Sequence, residues 1–426
     1  MSTYEDASLI YYPSGVKSGK AYSLKPTDGS GDLTFTRASS ATRVNAAGLI
    51  ESVATGVPRI DYTGGGCGKL LLEPQRSNLL LQSNNFNTTW TRADVTLTPN
   101  VTTSPDGTLN AFENIEGTGT STKLILQSVT VSSGATIAEF FFVKKKNRKY
   151  IQIRENTNGS FFFFNFDTAL AENITGACVP FIENYGNGWY KVGMITTVPS
   201  TSSQVRLYHS DNSKNIVYNG DGISGFYLWQ SQIESGSYST SLIPTTSTAV
   251  TRVADGFSRN NIYTNGLITS SGGTWFVELQ GNISVTNSST DRGVFVADTI
   301  AGTANALAIR RLSSGRNQIV KVISGSSTNL FTTTTDTVKI AIKWNGTTAD
   351  LFVNGVKVVS STAFATTIME NLGTRGSEEP YQFIQSMMLF PTALSDDDLT
   401  LLTGTLGETY FESYALMANY LNYTIQ

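Results

Sequence analysis

Short apolar segments separated by turn residues recur along most of this 426-residue chain. Between residues 86 and 250 they include KLILQSVTV, AEFFFVKKK and WYKVGMIT, and between 251 and 405 they include GTWFVELQG, VKIAIKWN and ADLFVNGVKVVS. Runs of this length, rich in β-branched and aromatic residues, are typical of antiparallel sandwiches. The pattern therefore predicts an all-β fold with two β-sandwich domains.

Three local patterns predict specific connections. KWNGTTADLFVNGVKV predicts two hairpins in series, because Asn345-Gly346 and Asn354-Gly355 tolerate the positive φ of tight primed turns. AEFFFVKKKNRKYIQIRE predicts a hairpin with a basic tip at residues 144–149. A short helix is predicted from Ser395, which can cap its N-terminus, through three aspartates to Gly404.

The tail at 406–426 carries an apolar stripe at the spacing of one helix face. The stripe is formed by Tyr410, Tyr414, Met417 and Leu421. Two interpretations stay open: this C-terminal helix packs on its own domain, or it forms a short oligomerisation seam.

The remaining segments complete the predicted organisation. Residues 1–30, with mixed polarity and turn pairs, are expected to form an extended N-terminal arm. Residues 31–85 form a strand-bearing linker, and we expect residues 31–75 to lend strands to the sandwich at 251–405. The domain at 86–250 would then be inserted between the two parts.

Composition excludes several function classes. A net charge of -3 gives no electrostatic footprint for nucleic acid. No apolar run approaches membrane-span length and no signal peptide is visible, so a soluble protein without membrane insertion is expected. One histidine and two distant cysteines do not supply the usual ligand set of a zinc site. The two neighbouring carboxylates of a glycosidase are not evident either, and a protein that is not an enzyme is predicted.

The stretch FTRASSATRVNAAGLIE raises a choice between a ligand-gripping loop and a framework of ion pairs. Arginines recur beside each strand-like piece of residues 31–85, and carboxylates are available as partners. The planar guanidinium suits paired carboxylates in a partly buried β framework. The framework interpretation is preferred, with predicted structural ion pairs among Arg37, Arg43, Arg59, Arg76, Glu51, Asp61 and Glu73.

The phrases of residues 31–90 also carry a family resemblance. FTRASSATRVNAAGLIE, PRIDY and GKLLLEPQRSNLLLQSNNF resemble a linker module of tailed-bacteriophage virion proteins. NGWYKV and GFYLWQSQIESGSYSTSLIPTTSTAVTRVAD resemble its continuation, a carbohydrate-binding-module-like jelly roll. TWFVELQG, IAIKWNGTTADLFVNGVKVV and LFPTALSDDDLTLLTG look like a concanavalin-A-like (laminin-G-type) sandwich. The resemblance covers roughly residues 31–405.

The resemblance implies a virion structural protein, a fibre or similar appendage subunit whose lectin-like domains contact host surface polysaccharide. It would be made in the host bacterial cytoplasm and located in the virion. Its expected partners are other virion proteins and copies of itself, with a trimer favoured. Two alternatives stay open: a structural capsid or tail decoration protein, and a polysaccharide depolymerase.

Candidate glycan and metal residues complete the expectations. Exposed aromatic rings stack on sugars, and basic side chains attract anionic polysaccharide; the candidates are Tyr150, Tyr185, Tyr208, Lys144, Lys145, Lys146 and Arg148. The alternative for the basic run is a solvated hairpin tip. Other strand aromatics, including Trp189, Tyr227 and Trp229, are expected in the core. No cofactor is required, although family analogy places a structural calcium at Asp106 and Glu113.

Overall fold

A computed structural model describes residues 4–280, 291–299, 304–311, 316–335, 337–364, 368–374 and 382–404. These residues form a nearly all-β structure with one α-helix, α1 Asp396–Thr403. The strands are β1 Leu9–Tyr11, β2 Val16–Lys17, β3 Lys20–Ala21, β4 Leu33–Thr36, β5 Ala41–Val44, β6 Ile50–Val53, β7 Arg59–Asp61, β8 Lys69–Leu72, β9 Arg76–Asn78, β10 Thr91–Ala93, β11 Val95–Thr103, β12 Leu109–Glu116, β13 Thr120–Thr122, β14 Leu124–Thr130, β15 Ala135–Lys145, β16 Tyr150–Glu155, β17 Ser160–Asn165, β18 Leu170–Thr175, β19 Cys178–Asn184, β20 Trp189–Val198, β21 Ser202–His209, β22 Val217–Asn219, β23 Gly225–Ser235, β24 Val250–Arg252, β25 Gly256–Asn260, β26 Gly273–Gln280, β27 Asp291–Ala297, β28 Ala306–Arg311, β29 Asn317–Ile323, β30 Ser326–Thr332, β31 Val338–Trp344, β32 Thr348–Val353, β33 Val356–Ala363, β34 Asn371–Thr374 and β35 Gln382–Phe390.

The chain divides into two compact units. The first comprises Met1–Ala46, Val53–Gln75 and Val253–Gln426, and the second comprises Ala47–Ser52 and Arg76–Arg252. Among the described residues, no helix has the length and apolarity needed to span a membrane.

The first unit is a sandwich of two antiparallel sheets. Sheet 1 has the order β33-β32-β31-β26-β35-β8-β7, with β1 also paired to β35, and sheet 2 has the order β2-β3-β4-β25-β34-β27-β28-β29-β30. Apolar side chains from both sheets form one core, which includes Leu70, Trp275 and Ile340 from sheet 1 and Phe257 and Leu307 from sheet 2. Strands of residues 33–72 thus pair directly with strands of residues 256–390.

The N-terminal segment differs from a free extended arm. Leu9, Ile10 and Tyr11 are fully buried, and their strand β1 pairs with β35. The LIY run is apolar enough to fill a place in the sandwich, since burying such side chains is favourable by about 1.5–3 kcal/mol each. The described part of residues 1–30 therefore belongs to the first unit.

The second unit is a sandwich of two six-stranded antiparallel sheets. Sheet 3 has the order β10-β14-β21-β16-β17-β18, and sheet 4 has the order β11-β12-β23-β15-β20-β19. Their inner faces share a core that includes Ile151, Ile153 and Leu207 from sheet 3, and Phe141 and Leu228 from sheet 4. Because side chains alternate along a strand, this core also fixes which residues face outward.

The predicted helix and the two predicted hairpins in series are confirmed, but one of the two predicted tight turns is wrong. Helix α1 begins after Ser395, whose side chain accepts the Asp398 N–H, and ends before Gly404. Asn354 and Gly355 both have positive φ and form a tight turn between β32 and β33. The turn between β31 and β32 is wider, because the last cross-strand pair before it is Trp344 with Ala349. In this turn only Gly346 has positive φ.

AEFFFVKKKNRKYIQIRE is not a hairpin. Strand β15 lies in sheet 4 and β16 lies in sheet 3, so residues 146–149 cross between the two layers. Each strand has one face in the common core and finds its hydrogen-bonding partners elsewhere in its own sheet. A short polar connection between two apolar runs fits a hairpin and a crossover equally well, which is why the sequence pattern misleads here.

Candidate functional site

Two arginines and two carboxylates, from residues 31–75 and 251–255, meet in a buried ionic cluster of the first unit. Arg37 Nη1 donates to Asp255 Oδ1 at 3.0 Å, and Arg59 Nη1 donates to Glu73 Oε2 at 2.6 Å. Arg59 Nη2 also pairs with Asp255, and all four side chains have no exposed surface. Burial alone would lower the pKa of Arg59, but the two carboxylates outweigh it and raise that pKa.

Asp255 is the residue of this cluster that sequence reasoning did not name. It lies in TRVAD at 251–255, which echoes the FTRAS phrase at 35–39. That similarity was the available signal, because each phrase contributes one residue to the cluster, Arg37 and Asp255. Its backbone is also held there: Asp255 N donates to Glu73 O, and Glu73 N donates to Asp255 Oδ2, both at 3.0 Å. This cluster has the character of framework rather than of a ligand site.

The other predicted ion-pair residues have different surroundings. Asp61 accepts the backbone N–H groups of Val44 and Thr63 at 2.8 Å. The Arg76 guanidinium lies 4.9 Å from the centre of the Tyr238 ring. The half-buried Arg43 and Glu51 lie in β5 and β6.

Two of the predicted sugar-stacking rings are not available for stacking. Tyr150 and Tyr208 are 7% and 3% exposed. The ammonium groups of Lys149 and Lys214 lie about 5 Å from the centre of the Tyr150 ring, at 5.1 and 5.0 Å. Stacking on a pyranose needs an exposed ring face, and buried rings lack one.

Most of the predicted basic patch is paired with carboxylates. Lys145 pairs with Asp167, Lys146 pairs with Glu113 at 2.9 Å, and Arg148 pairs with Glu116. The hydrogen bond to the Glu116 carboxylate raises the pKa of Arg148 above its ordinary value. The charges of Lys145, Lys146 and Arg148 are therefore neutralised by neighbouring carboxylates.

His209 is buried beneath the Arg148 pair. Its Nε2 lies 2.9 Å from Asn114 Oδ1. Burial lowers the pKa of His209 to about 3, and the positive charges of Arg148 and Lys123 add to that effect. The imidazole is therefore neutral at physiological pH and belongs to the interior of the unit.

Each of the two predicted calcium ligands has its own partners in the protein. Both Asp106 oxygens accept hydrogen bonds from the neighbouring side chains of Ser104, Thr108 and Asn110. Glu113 is paired with Lys146 instead. In the part of the chain that the structure describes, no group of three or more His, Cys, Asp or Glu could hold a metal ion.

The four predicted oligomerisation residues, Tyr410, Tyr414, Met417 and Leu421, lie outside the described residues.

A row of residues crosses the outer face of sheet 4. Glu113 on β12 is directly opposite Tyr227 on β23, and Tyr227 is directly opposite Lys144 on β15. Their neighbours Phe112, Phe226 and Val143 lie in the core, so the three side chains point outward. All three are half-buried, and Thr98 on β11 extends the row as an exposed residue. We call Thr98, Glu113, Tyr227 and Lys144 the outer row.

Aromatic rings border the outer row. Phe142, two residues from Lys144 on the same face, contacts Trp229 and the half-buried Tyr185 with ring-centre distances of 5.3 and 4.9 Å. Trp229 is buried, and its indole N–H has no hydrogen-bond partner among the described residues. Lys191, directly opposite Phe142 on β20, pairs with Glu183 at 3.2 Å. The face thus combines a half-exposed aromatic ring with flanking charged and hydroxyl groups.

The outer row and its surroundings bring together residues predicted for different roles. Of the glycan candidates, Lys144 lies in the row, Tyr185 contacts Phe142 beside it, and Lys146 pairs with Glu113, the predicted calcium ligand. Tyr227 is predicted in the core but points outward, because alternation alone does not say which face of a strand is buried when both faces carry aromatic residues.

Comparisons with known proteins show similarity only at the level of structure. No protein family matches the chain, and no curated protein matches it. A carbohydrate-binding module, CBM40, of the Ruminococcus gnavus IT-sialidase is 14% identical with a TM-score of 0.24, covering 32% of this chain and 83% of its own. Domain 4 of AbnA, an extracellular arabinanase of Geobacillus stearothermophilus, is 14% identical with a TM-score of 0.27, covering 35% and 73%. A Trypanosoma rangeli sialidase is 9% identical with a TM-score of 0.29, covering 92% and 78%.

These comparisons correct one expectation. The sequence predicted a protein that is not an enzyme, whereas the solved structures similar to this chain include sialidases that cover 68% to 92% of it. The prediction of a non-enzymatic protein is therefore withdrawn. At TM-scores this low the likeness carries no activity over to this chain, so any function must be argued from its own residues.

Proposed function

We propose that the chain is a bacteriophage virion protein, a fibre or similar appendage subunit, whose second unit binds host surface polysaccharide. The virion role is supported by the phrases of residues 31–90 and 225–255, which resemble a phage module. The buried cluster of Arg37, Arg59, Glu73 and Asp255 gives those phrases a common physical reason, because they supply its four members.

The observation that supports glycan binding is the outer row. Tyr227 offers an apolar ring with a polar tip, and Glu113 and Lys144 lie directly beside it on neighbouring strands. A sugar has apolar C–H faces and hydroxyl groups around its rim, so it needs a ring to stack on and charged groups to bond its hydroxyls. Antiparallel strands are rigid supports, which place these groups with little loss of entropy on binding.

Glycan binding is tested by changing the ring of the outer row. Tyr227→Ala removes the stacking surface, and we expect affinity for the bound polysaccharide to fall about tenfold, the equivalent of about 1.4 kcal/mol. Tyr227→Phe keeps the ring and should retain most of the affinity. Glycan-array screening followed by titration calorimetry measures both, with reducing-end release recorded in parallel to separate binding from hydrolysis. Equal affinities of Tyr227→Ala and the wild type would refute this site.

Adjacent lysines of β15 provide a matched pair of variants. Lys144 faces outward beside Tyr227, whereas Lys145 is on the opposite side of the strand and pairs with Asp167. We expect Lys144→Ala to weaken polysaccharide binding several-fold, and Lys145→Ala to leave it unchanged. Equal losses in both variants would indicate a general charge effect rather than contact at the outer row.

The virion role needs a separate test. Antibodies against the chain should label intact virions at an exposed appendage, and the purified protein should compete with virions for adsorption to host cells. Labelling without competition would favour the structural decoration role. Absence of the protein from purified virions would overturn the virion role while leaving the glycan measurements unaffected.

A further inference from the structure

Two arginines lie directly opposite each other on sheet 3 of the second unit. Arg154 on β16 is in register with Arg206 on the adjacent antiparallel strand β21. Ile153 and Leu207, which also form a cross-strand pair, lie in the core. Since side chains alternate, both arginines point to the outer face of sheet 3. They are half-buried there.

The surroundings hold these guanidinium groups in place without neutralising them. Arg206 Nε donates to Gln204 Oε1 at 2.6 Å, and Arg206 Nη1 donates to Tyr208 Oη at 2.9 Å. The Arg154 guanidinium lies 5.6 Å from the centre of the Phe161 ring, which is its neighbour on β17. Its buried Nε has no hydrogen-bond partner among the described residues.

Within the described ranges, neither arginine forms an ion pair with a carboxylate, in contrast to Arg37, Arg59 and Arg148. Glu172 on β18 is opposite Phe163 and points to the same face, but it is paired with Lys214 at 2.5 Å. Like charges directly opposite each other on antiparallel strands are destabilising. Because this repulsion costs stability, the opposed arginines point to a role that needs both charges.

We propose that Arg154 and Arg206 form a binding site for an oxyanion, a carboxylate or sulfate group carried by an acidic polysaccharide. Guanidinium forks bind such groups with two parallel hydrogen bonds. A single oxyanion accepting hydrogen bonds from the terminal N–H groups of both guanidinium groups would remove their repulsion. The polysaccharide as carrier rests on the proposed function, whereas the oxyanion site itself does not.

Arg154 and Arg206, which we call the Arg pair, lie on sheet 3, whereas the outer row lies on sheet 4. The two sites can therefore be tested independently. The variants are Arg154→Gln, Arg206→Gln and the double variant, with Arg92→Gln as control. Arg92 is an exposed arginine on β10 of the same sheet, and its Nη1 donates to Asn87 Oδ1 at 2.9 Å. The control removes the same charge without touching the pair.

Binding is measured by calorimetry with polygalacturonate, dextran sulfate, neutral dextran and inorganic sulfate. We expect the double variant to lose at least about tenfold in affinity for polygalacturonate or dextran sulfate, whereas Arg92→Gln retains it. The wild-type affinity should fall as salt rises, because exposed charges are screened. Neutral dextran should not distinguish the variants.

Thermal stability gives a second test. Variants of arginines with a structural role would have lower melting temperatures, whereas variants of an oxyanion site should not. Without ligand, each single variant should be as stable as the wild type or more stable, because one of two opposed charges is gone. Added anionic polymer should raise the melting temperature of the wild type and not that of the double variant.

The outcomes separate the two proposals. Equal binding of anionic polymers by wild type and double variant overturns the oxyanion site, as does a loss no greater than that of Arg92→Gln. Protection by inorganic sulfate alone, abolished in the double variant, supports the oxyanion site and contradicts the polysaccharide carrier. Polysaccharide binding that depends on Tyr227 but not on the Arg pair supports the proposed function and overturns this inference.

Discussion

Replacing Asp255 by asparagine is expected to destabilise the first unit by about 3–5 kcal/mol, because breaking a buried ion pair leaves uncompensated charge in the interior. Asp255 accepts hydrogen bonds from Arg37 and Glu73 N and pairs with Arg59, and its side chain has no exposed surface. Asparagine keeps the shape but removes the charge that two buried guanidinium groups face. At about 2–4 °C per kcal/mol, the melting temperature should fall by roughly 6–20 °C.

A surface ion pair of the same unit provides the control. Lys20 pairs with Asp32 at 3.4 Å, and its side chain is 45% exposed. Lys20→Ala should cost no more than about 1 kcal/mol, because solvent screens such pairs. Calorimetry of both variants measures the difference. A loss for Asp255→Asn as small as that for Lys20→Ala would show that the cluster does not hold the framework together.

The ionic cluster shows what a sequence can predict about a framework. Arg37, Arg59 and Glu73 were identifiable because they recur beside strand-like pieces, each with a charged residue in a nearly apolar setting. Asp255 lies about 180–220 positions away along the chain from its partners, as the separations of 182 and 218 residues show. Local sequence patterns do not report contacts between residues so far apart in the chain. The only indication of Asp255 was the similarity between the phrases FTRAS and TRVAD.

The outer row shows where sequence reasoning stops. Periodicity placed Lys144 and Tyr227 on strands, but their proximity depends on the sheet order β12-β23-β15, in which no two neighbours are consecutive in the chain. The same limitation explains the false hairpin between β15 and β16 and the buried rings of Tyr150 and Tyr208. Strand existence follows from local composition, whereas strand partnership follows from packing of the whole unit.

The interior of the second unit contains a carboxyl group, that of Glu139, without hydrogen-bond partners among the described residues. Glu139 on β15 is fully buried, and neither of its carboxyl oxygens has a hydrogen-bond partner among the described residues. Burial raises the pKa of Glu139 well above its ordinary value, and the charge of Glu155 raises it further. Glu155 is also buried, but it accepts the N–H groups of Asn158 and Gln204 at 2.7 and 3.0 Å.

This difference predicts how stability depends on pH. A carboxyl group whose pKa is higher in the folded than in the unfolded chain binds its proton more tightly when folded. Its favourable contribution is complete below the unfolded pKa, near 4.3, and is lost as pH rises through the folded pKa. The second unit should therefore lose stability on going from mildly acidic to alkaline pH.

Replacing Glu139 by glutamine should remove this loss, because glutamine resembles the protonated acid at every pH. Near pH 4 the variant and the wild type should have similar free energies of unfolding. Above that pH the advantage of Glu139→Gln should grow by about 1.4 kcal/mol per pH unit until the folded pKa is reached. Glu155→Gln is the matched contrast, and it should destabilise the unit because backbone N–H groups lose a charged acceptor. Denaturant titrations from pH 4 to 8 measure all three proteins, and parallel pH curves for wild type and Glu139→Gln would show that Glu139 is not protonated in the folded protein.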